Sequence, residues 1–206
     1  MLTMIIVGPP NTDEYWDALV YILSQYPALN DSGIAGYSFF GPNITYPTFG
    51  LSGTGAYYAI LYLPAFSPSN TLTSLEATWG SVFSYINTTY PGQFEYFYYN
   101  ATTYPNFESW YITNNGPHNA GVEELVGSRL LPAEALSGSA TALKTALQGS
   151  IPPQSVGTAY LVVGKGVSNV VPRGGSDAVN PAWRKAVVHY SESVYVCSFS
   201  SYDPKY

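Results

Sequence analysis

Apolar and polar positions along this chain fall into short blocks whose period changes from block to block. Leu2 to Val7 is an unbroken apolar run of strand length, stopped by Pro9-Pro10-Asn11. Thr12 then stands as an N-cap. Asp13 and Glu14 occupy the first turn, where carboxylates meet the positive end of a helix dipole. Trp16, Leu19, Val20 and Leu23 recur at helical spacing, which predicts an amphipathic helix over residues 13–25, with Pro27 and Gly33 closing the unit. Gly36 to Phe40 predicts a short aromatic strand, and a Pro-, Gly- and Thr-rich loop runs from it to Gly55. Ala56 to Phe66 predicts a longer strand. Tyr58, Ile60 and Tyr62 share one face of it, and Tyr57, Ala59, Leu61 and Leu63 the other. Both faces are apolar enough for a central strand covered on both sides.

Thr73 to Glu76 fits a capping box, and Leu75, Trp79, Val82, Phe83 and Ile86 continue it as a helical stripe over residues 73–86. Phe94 to Tyr99 predicts the next strand, on which Phe94, Tyr96 and Tyr98 share a face. Residues 104–111 predict a short helix, and Asn114 to Pro117 a loop. Val122 to Leu131 reads as a strand stopped by Pro132. Ser139 caps a helix running through Leu143 and Leu147, with Gly149 expected just past its end. Thr158 to Val163 and Val167 to Val171 predict a hairpin across Gly164-Lys165-Gly166, and Ala186 to Tyr190 the last strand. Strand, helix, strand occurs twice in the first hundred or so residues, the pattern of a split β-α-β arrangement. The expected fold class is α+β: a mostly antiparallel sheet of about seven strands flanked by helices.

Composition narrows the function. At 206 residues the chain has length for one sizeable core. Charged residues are 10% of it, against roughly a quarter in an ordinary globular protein. Seven Lys and Arg and a net charge of -6 leave no face able to neutralise phosphates, which excludes nucleic acid and an anionic membrane surface as partners. No apolar run is long enough to span a bilayer. Cys197 stands alone, so no cysteine cluster forms, and with His118 and His189 the only histidines no metal site is expected. Asn30, Asn43, Asn87 and Asn100 each begin an Asn-x-Ser/Thr acceptor for N-glycosylation, which points to a secretory ancestry. Met1 to Val7 is too short for a signal-peptide core.

Strand tyrosines are the main candidates for substrate contact: Tyr58 and Tyr62 on one strand, Tyr96 and Tyr98 on another. A tyrosine can orient a substrate hydroxyl, or serve as a rim hydrogen bonder on a core aromatic. His189, at the end of the last strand, can shuttle a proton or serve structurally. Arg184 can bind a carboxylate or, the favoured reading, pair with Asp177; Glu123-Glu124 can supply a base or, as adjacent carboxylates at a helix start usually do, form a solvated cap. No Gly-x-Ser-x-Gly elbow marks a hydrolase.

Three segments carry a family resemblance. They are Tyr15-Trp16-Asp17-Ala18-Leu19 with Pro27 to Tyr37, then Gly127-Ser128-Arg129-Leu130-Leu131-Pro132, then Val179-Asn180-Pro181-Ala182-Trp183-Arg184. In that order they resemble fungal FAD-linked oxidoreductases of the berberine-bridge-like branch of the vanillyl-alcohol-oxidase type flavoproteins. The resemblance implies FAD as cofactor and a small-molecule substrate of secondary metabolism. It implies a substrate domain, an antiparallel sheet with helices, that covers the isoalloxazine ring. Residues 1–190 match that domain and 191–206 read as a divergent tail. Nothing matches the FAD-binding domain or its Gly-rich pyrophosphate segment, so no cofactor-binding residue is assigned; the chain reads as the incomplete, substrate-binding half of such an enzyme, either a truncated piece of it or the partner of a separate FAD-domain chain. Two other readings stay open: a flavin-free binding subunit of a split enzyme, and a non-redox, cyclase-like enzyme using an aromatic pocket.

Overall fold

The computed structural model describes residues 1–47, 50–62, 72–114, 124–152, 155–175 and 178–195. Seven strands form one sheet in the order β4-β1-β3-β2-β6-β7-β5, and every neighbouring pair is antiparallel. They are β1 (Leu2–Gly8), β2 (Ala35–Tyr46), β3 (Leu51–Tyr62), β4 (Glu95–Ala101), β5 (Glu124–Pro132), β6 (Val156–Leu161) and β7 (Ala186–Tyr195). The helices are α1 (Asp13–Ser24), α2 (Tyr26–Asp31), α3 (Leu72–Thr89), α4 (Phe107–Asn114), α5 (Ala133–Ser137), α6 (Ala140–Ser150) and α7 (Lys165–Ser168). The fold is α+β. Its first half, β1-α-β2-β3-α3-β4 with spatial order 4-1-3-2, is the doubled split β-α-β of ferredoxin-like units.

One face of the sheet is covered. Leu2, Met4 and Ile6 of β1, Tyr57, Ala59 and Leu61 of β3, Phe40 of β2 and Val188 of β7 meet Trp16, Leu19, Tyr26, Trp79 and Leu147 in a single core. Period-2 strands supply one wall and helical stripes the other, as the sequence pattern requires. Thr12 caps α1 by accepting from the Tyr15 N–H at 3.3 Å, and Ser139 caps α6 from the Ala142 N–H at 3.2 Å. Thr12→Ala is expected to lower stability by about 1 kcal/mol, read as a denaturant midpoint shift at unchanged slope.

Several expectations are corrected. The chain does not leave helix at Pro27; Pro27 sits in the first turn of α2, where its missing N–H costs nothing. β2 continues to Tyr46 and β3 starts at Leu51, so the expected loop is mostly the end of a long hairpin. Gly149 lies inside α6, which ends on Ile151 as C-cap. The expected hairpin across Gly164 is absent: Lys165–Ser168 is a helical turn, and β6 pairs with β2 and β7 instead. On the central strand β3, Tyr57, Ala59 and Leu61 are sealed against the helices; on the other face Leu51 and Ala56 are buried in a smaller cluster and Tyr58, Ile60 and Tyr62 are half-buried.

Candidate functional site: the open face of the sheet

Opposite α1, α3 and α6 the sheet carries a small buried cluster of Ile5, Val7, Leu51 and Ala56 and, beside it, aromatic side chains that are only partly buried among the described residues. Register brings them into line. Tyr37 of β2 pairs with Tyr160 of β6, Tyr160 pairs with His189 of β7, and Tyr62 of β3 sits diagonally from Tyr37. The rings form one row across four strands. Centroids lie 6.3 Å apart for Tyr62–Tyr37, 5.5 Å for Tyr37–Tyr160 and 5.7 Å for Tyr160–His189. Trp110 of α4 closes one end, 5.6 Å from Tyr62, and Trp183 closes the other, 5.5 Å from His189. Most contacts are edge-to-face, the favourable arrangement for ring quadrupoles.

The Val179 to Arg184 segment positions the Trp183 end. Gly174 and Gly175 both take left-handed φ, 80° and 81°, a conformation that suits glycine alone. Asn180 then accepts from the Ala182 N–H at 3.0 Å, and Pro181 opens a 3-10 turn, Pro181–Arg184. That turn delivers Trp183 onto His189, and Arg184 ties it down by donating to the Val167 carbonyl at 3.0 Å. Asp177, the expected partner of Arg184, lies outside the described residues, as do His118, Glu123 and Cys197.

Beside the row, Phe39 and Tyr58 stack at 5.9 Å, over Ile5, Ile44, Leu51 and Val156. These residues line a hollow of about 360 Å³. The row itself carries hydroxyls, two indoles and one imidazole, and no carboxylate or ammonium. Burial, then the neighbouring tyrosines Tyr37 and Tyr58, push the Tyr62 hydroxyl above the usual tyrosine range. The buried Trp110 indole N–H opposes this from close by, without completing a hydrogen bond. Tyr62 therefore holds its proton near neutrality.

Of the residues picked out in the sequence, Tyr58, Tyr62 and His189 share this face. Tyr96 does not. A bulge skips Phe97, so that Ile5 pairs with Tyr98 and Ile6 with Tyr96. That turns Tyr96 to the helix side, where it packs on Phe83 at 4.5 Å and donates to the Phe83 carbonyl and to Asn87 Oδ1. The Tyr98 side chain lies outside the described residues. Asn30 lies on α2, Asn43 half-buried on β2, and Asn87 and Asn100 are exposed on α3 and β4. Sequence reasoning missed Tyr37, Tyr160, Trp110 and Trp183. Strand alternation flags the first two, but only the non-local pairing of β2 with β6 makes them neighbours.

A flavin can be tested against these residues. Its ring is flat and apolar on both faces, which suits the half-exposed aromatic row. Its pyrophosphate needs free backbone N–H groups, and the glycine turns do not offer them. The Gly53 N–H donates to Thr45 Oγ1 at 3.2 Å and the Gly175 N–H to the Pro172 carbonyl at 3.0 Å. The described residues fit the ring end of FAD and not its phosphate end. Among them no helix is long and apolar enough to cross a membrane, and no group of His, Cys, Asp and Glu could hold a metal ion.

Neither a protein-family model nor a curated protein matches the chain. Solved structures do. The VAO-type flavoprotein MtVAO713 from Myceliophthora thermophila C1 superposes with a TM-score of 0.73 at 20% identity, over 93% of this chain and 33% of its own. A second VAO-type flavoprotein of that organism, MtVAO615, superposes with a TM-score of 0.51 at 12% identity, over 92% and 32%. The chain thus has a fold found in VAO-type flavoproteins and spans about a third of their length.

Proposed function

We propose that this chain is the substrate-binding part of an FAD-dependent oxidoreductase, its open face roofing the isoalloxazine ring and a small organic substrate. The observation that carries the reading is the partly exposed aromatic row on the sheet face opposite the main core, in a fold that recurs in VAO-type flavoproteins. When bound, the flavin supplies the hydride-accepting chemistry. This chain's residues bind and orient: the rings stack on planar groups, and Tyr62 donates a hydrogen bond to a substrate oxygen. His189, held between Tyr160 and Trp183, takes the substrate proton; among the described residues no hydrogen bond engages its ring. The FAD phosphates fall to another segment or chain, and a substrate of secondary metabolism agrees with an uncharged aromatic surface.

Lumiflavin, the ring system without phosphates, tests the reading. Its fluorescence is expected to be quenched saturably by the protein. Tyr37→Ala and Tyr160→Ala should each weaken binding about fivefold, the worth of one aromatic contact. Absent quenching, or unchanged affinity in both variants, would sink the proposal.

A further inference from the structure

On the helix side of the sheet, behind the aromatic row, lies a second cleft of about 630 Å³. β5, last in the described sheet, forms one wall and α5, α6 and β7 the others. The Gly127 to Leu131 segment, which the flavin reading leaves without a task, lines it. Its volume falls in the range of small-molecule sites. The apolar walls are Leu131, Leu143 and Leu147, and Ala142 and Ala146 keep the α6 side open.

The polar end is built around Glu192, which pairs across the strands with Gly127. Its Oε2 is buried and, among the described residues, no hydrogen-bond donor reaches it. A Cβ on Gly127 would stand 3.3 Å from Oε1, so glycine there leaves room above the carboxylate. Lys144 of α6 does not serve Glu192: its ammonium is taken by Asp13 and Asp17, each at 2.8 Å. Arg129, two residues along β5, lines the same cleft with its side chain exposed, and among the described residues no carboxylate lies within ion-pair reach of it. Tyr190 and Ser150 join their hydroxyls at 2.8 Å between the charged end and the apolar wall.

A carboxylate with one oxygen buried and, among the described residues, no donor on that oxygen calls for a cation. A guanidinium on the same cleft calls for a planar anion, which it can grip with two parallel bonds. We propose that this cleft binds a zwitterionic apolar amino acid, its ammonium on Glu192, its carboxylate toward Arg129 and its side chain against Leu131, Leu143 and Leu147. The site is separate from the flavin-facing surface and does not depend on it.

Isothermal titration with L-phenylalanine tests this, with phenethylamine and 3-phenylpropanoate as probes lacking one charge each. Phenylalanine should bind saturably and at least tenfold more tightly than either. Glu192→Gln and Arg129→Gln should each remove that preference. Ala142→Phe, which fills the cleft without touching a charge, should abolish binding while leaving lumiflavin quenching unchanged. If Glu192→Gln does not fold, Arg129→Gln and Ala142→Phe still decide. No saturable heat with phenylalanine, equal binding of the single-charge probes, or unchanged binding in Ala142→Phe would overturn the proposal.

Discussion

Raising the pH from 9 toward 12 is expected to unfold the protein cooperatively, before its buried tyrosines ionise in the native state. Tyr26 is wholly enclosed, its hydroxyl 2.7 Å from Ser38 Oγ and 2.7 Å from the Tyr57 hydroxyl. Burial pushes its pKa up to about 12, against its hydrogen bonds with Ser38 and Tyr57. Burial pushes Tyr57 and Tyr15 well above the ordinary range too. In the unfolded chain all three titrate near 10. Below pH 10 both states keep these protons and no stability is lost. Above it the unfolded state releases protons that the folded state retains, so stability falls until the folded pKa is passed. For Tyr26 alone the gap is worth about 3 kcal/mol, a large part of the roughly 5–15 kcal/mol that holds a domain together. Far-ultraviolet dichroism and phenolate absorbance followed together check this: the loss of dichroism should coincide with the last phase of tyrosine ionisation. Complete ionisation of all 20 tyrosines with dichroism intact would contradict it. Tyr26→Phe should melt lower than wild type at pH 7, because the Tyr57 hydroxyl loses its partner, yet lose less stability between pH 10 and 12.

The Tyr26 cluster also shows where sequence reading stops. The strand β1 and the helices α1, α3 and α6 were legible because their signals are local: an apolar run, a cap, a 3.6-residue stripe. So was the α+β class, and so was the doubled strand-helix-strand unit. What joins Tyr26 to Ser38 and Ser38 to the Ala159 carbonyl is the placement of β2 beside β6, a contact 121 residues apart in sequence. No local pattern encodes that choice. The same pairing builds the aromatic row, which is why Tyr58, Tyr62 and His189 could be picked out singly while Tyr37 and Tyr160, which connect Tyr62 to His189, could not. Tyr96 misled for a related reason. Period-2 counting assumes an unbroken strand, and the bulge at Phe97 reverses the face from there on. Past Val163 the alternation of small and apolar residues mimicked a hairpin, but Gly164 starts a helical turn whose Val167 carbonyl receives Arg184.

Among the described glycines, replacing Gly36 with Ala is expected to be the most damaging added methyl, on the order of 3 kcal/mol or more. Gly36 of β2 lies between Leu61 of β3 and Leu161 of β6. A Cβ there would run into the Ile60 carbonyl oxygen and stand 2.9 Å from Leu61 Cα, both backbone atoms of a central strand. Neither can step aside as a side chain can, so β2 must draw away from β3. Tyr37, the next residue, moves with it, and the 6.3 Å contact to Tyr62 is the part of the row that opens. Gly36→Ala should therefore melt about 6–12 °C lower, and any folded fraction should bind lumiflavin more weakly. Gly80→Ala is the matched control. Gly80 is exposed in the middle of α3 with nothing within 4 Å of an added Cβ. The same methyl there should stabilise by roughly 0.5–1 kcal/mol, because alanine holds a helix better than glycine. If both variants melt within a degree of wild type, strand spacing at Gly36 does not control the open face, and the row owes its alignment to the side chains instead.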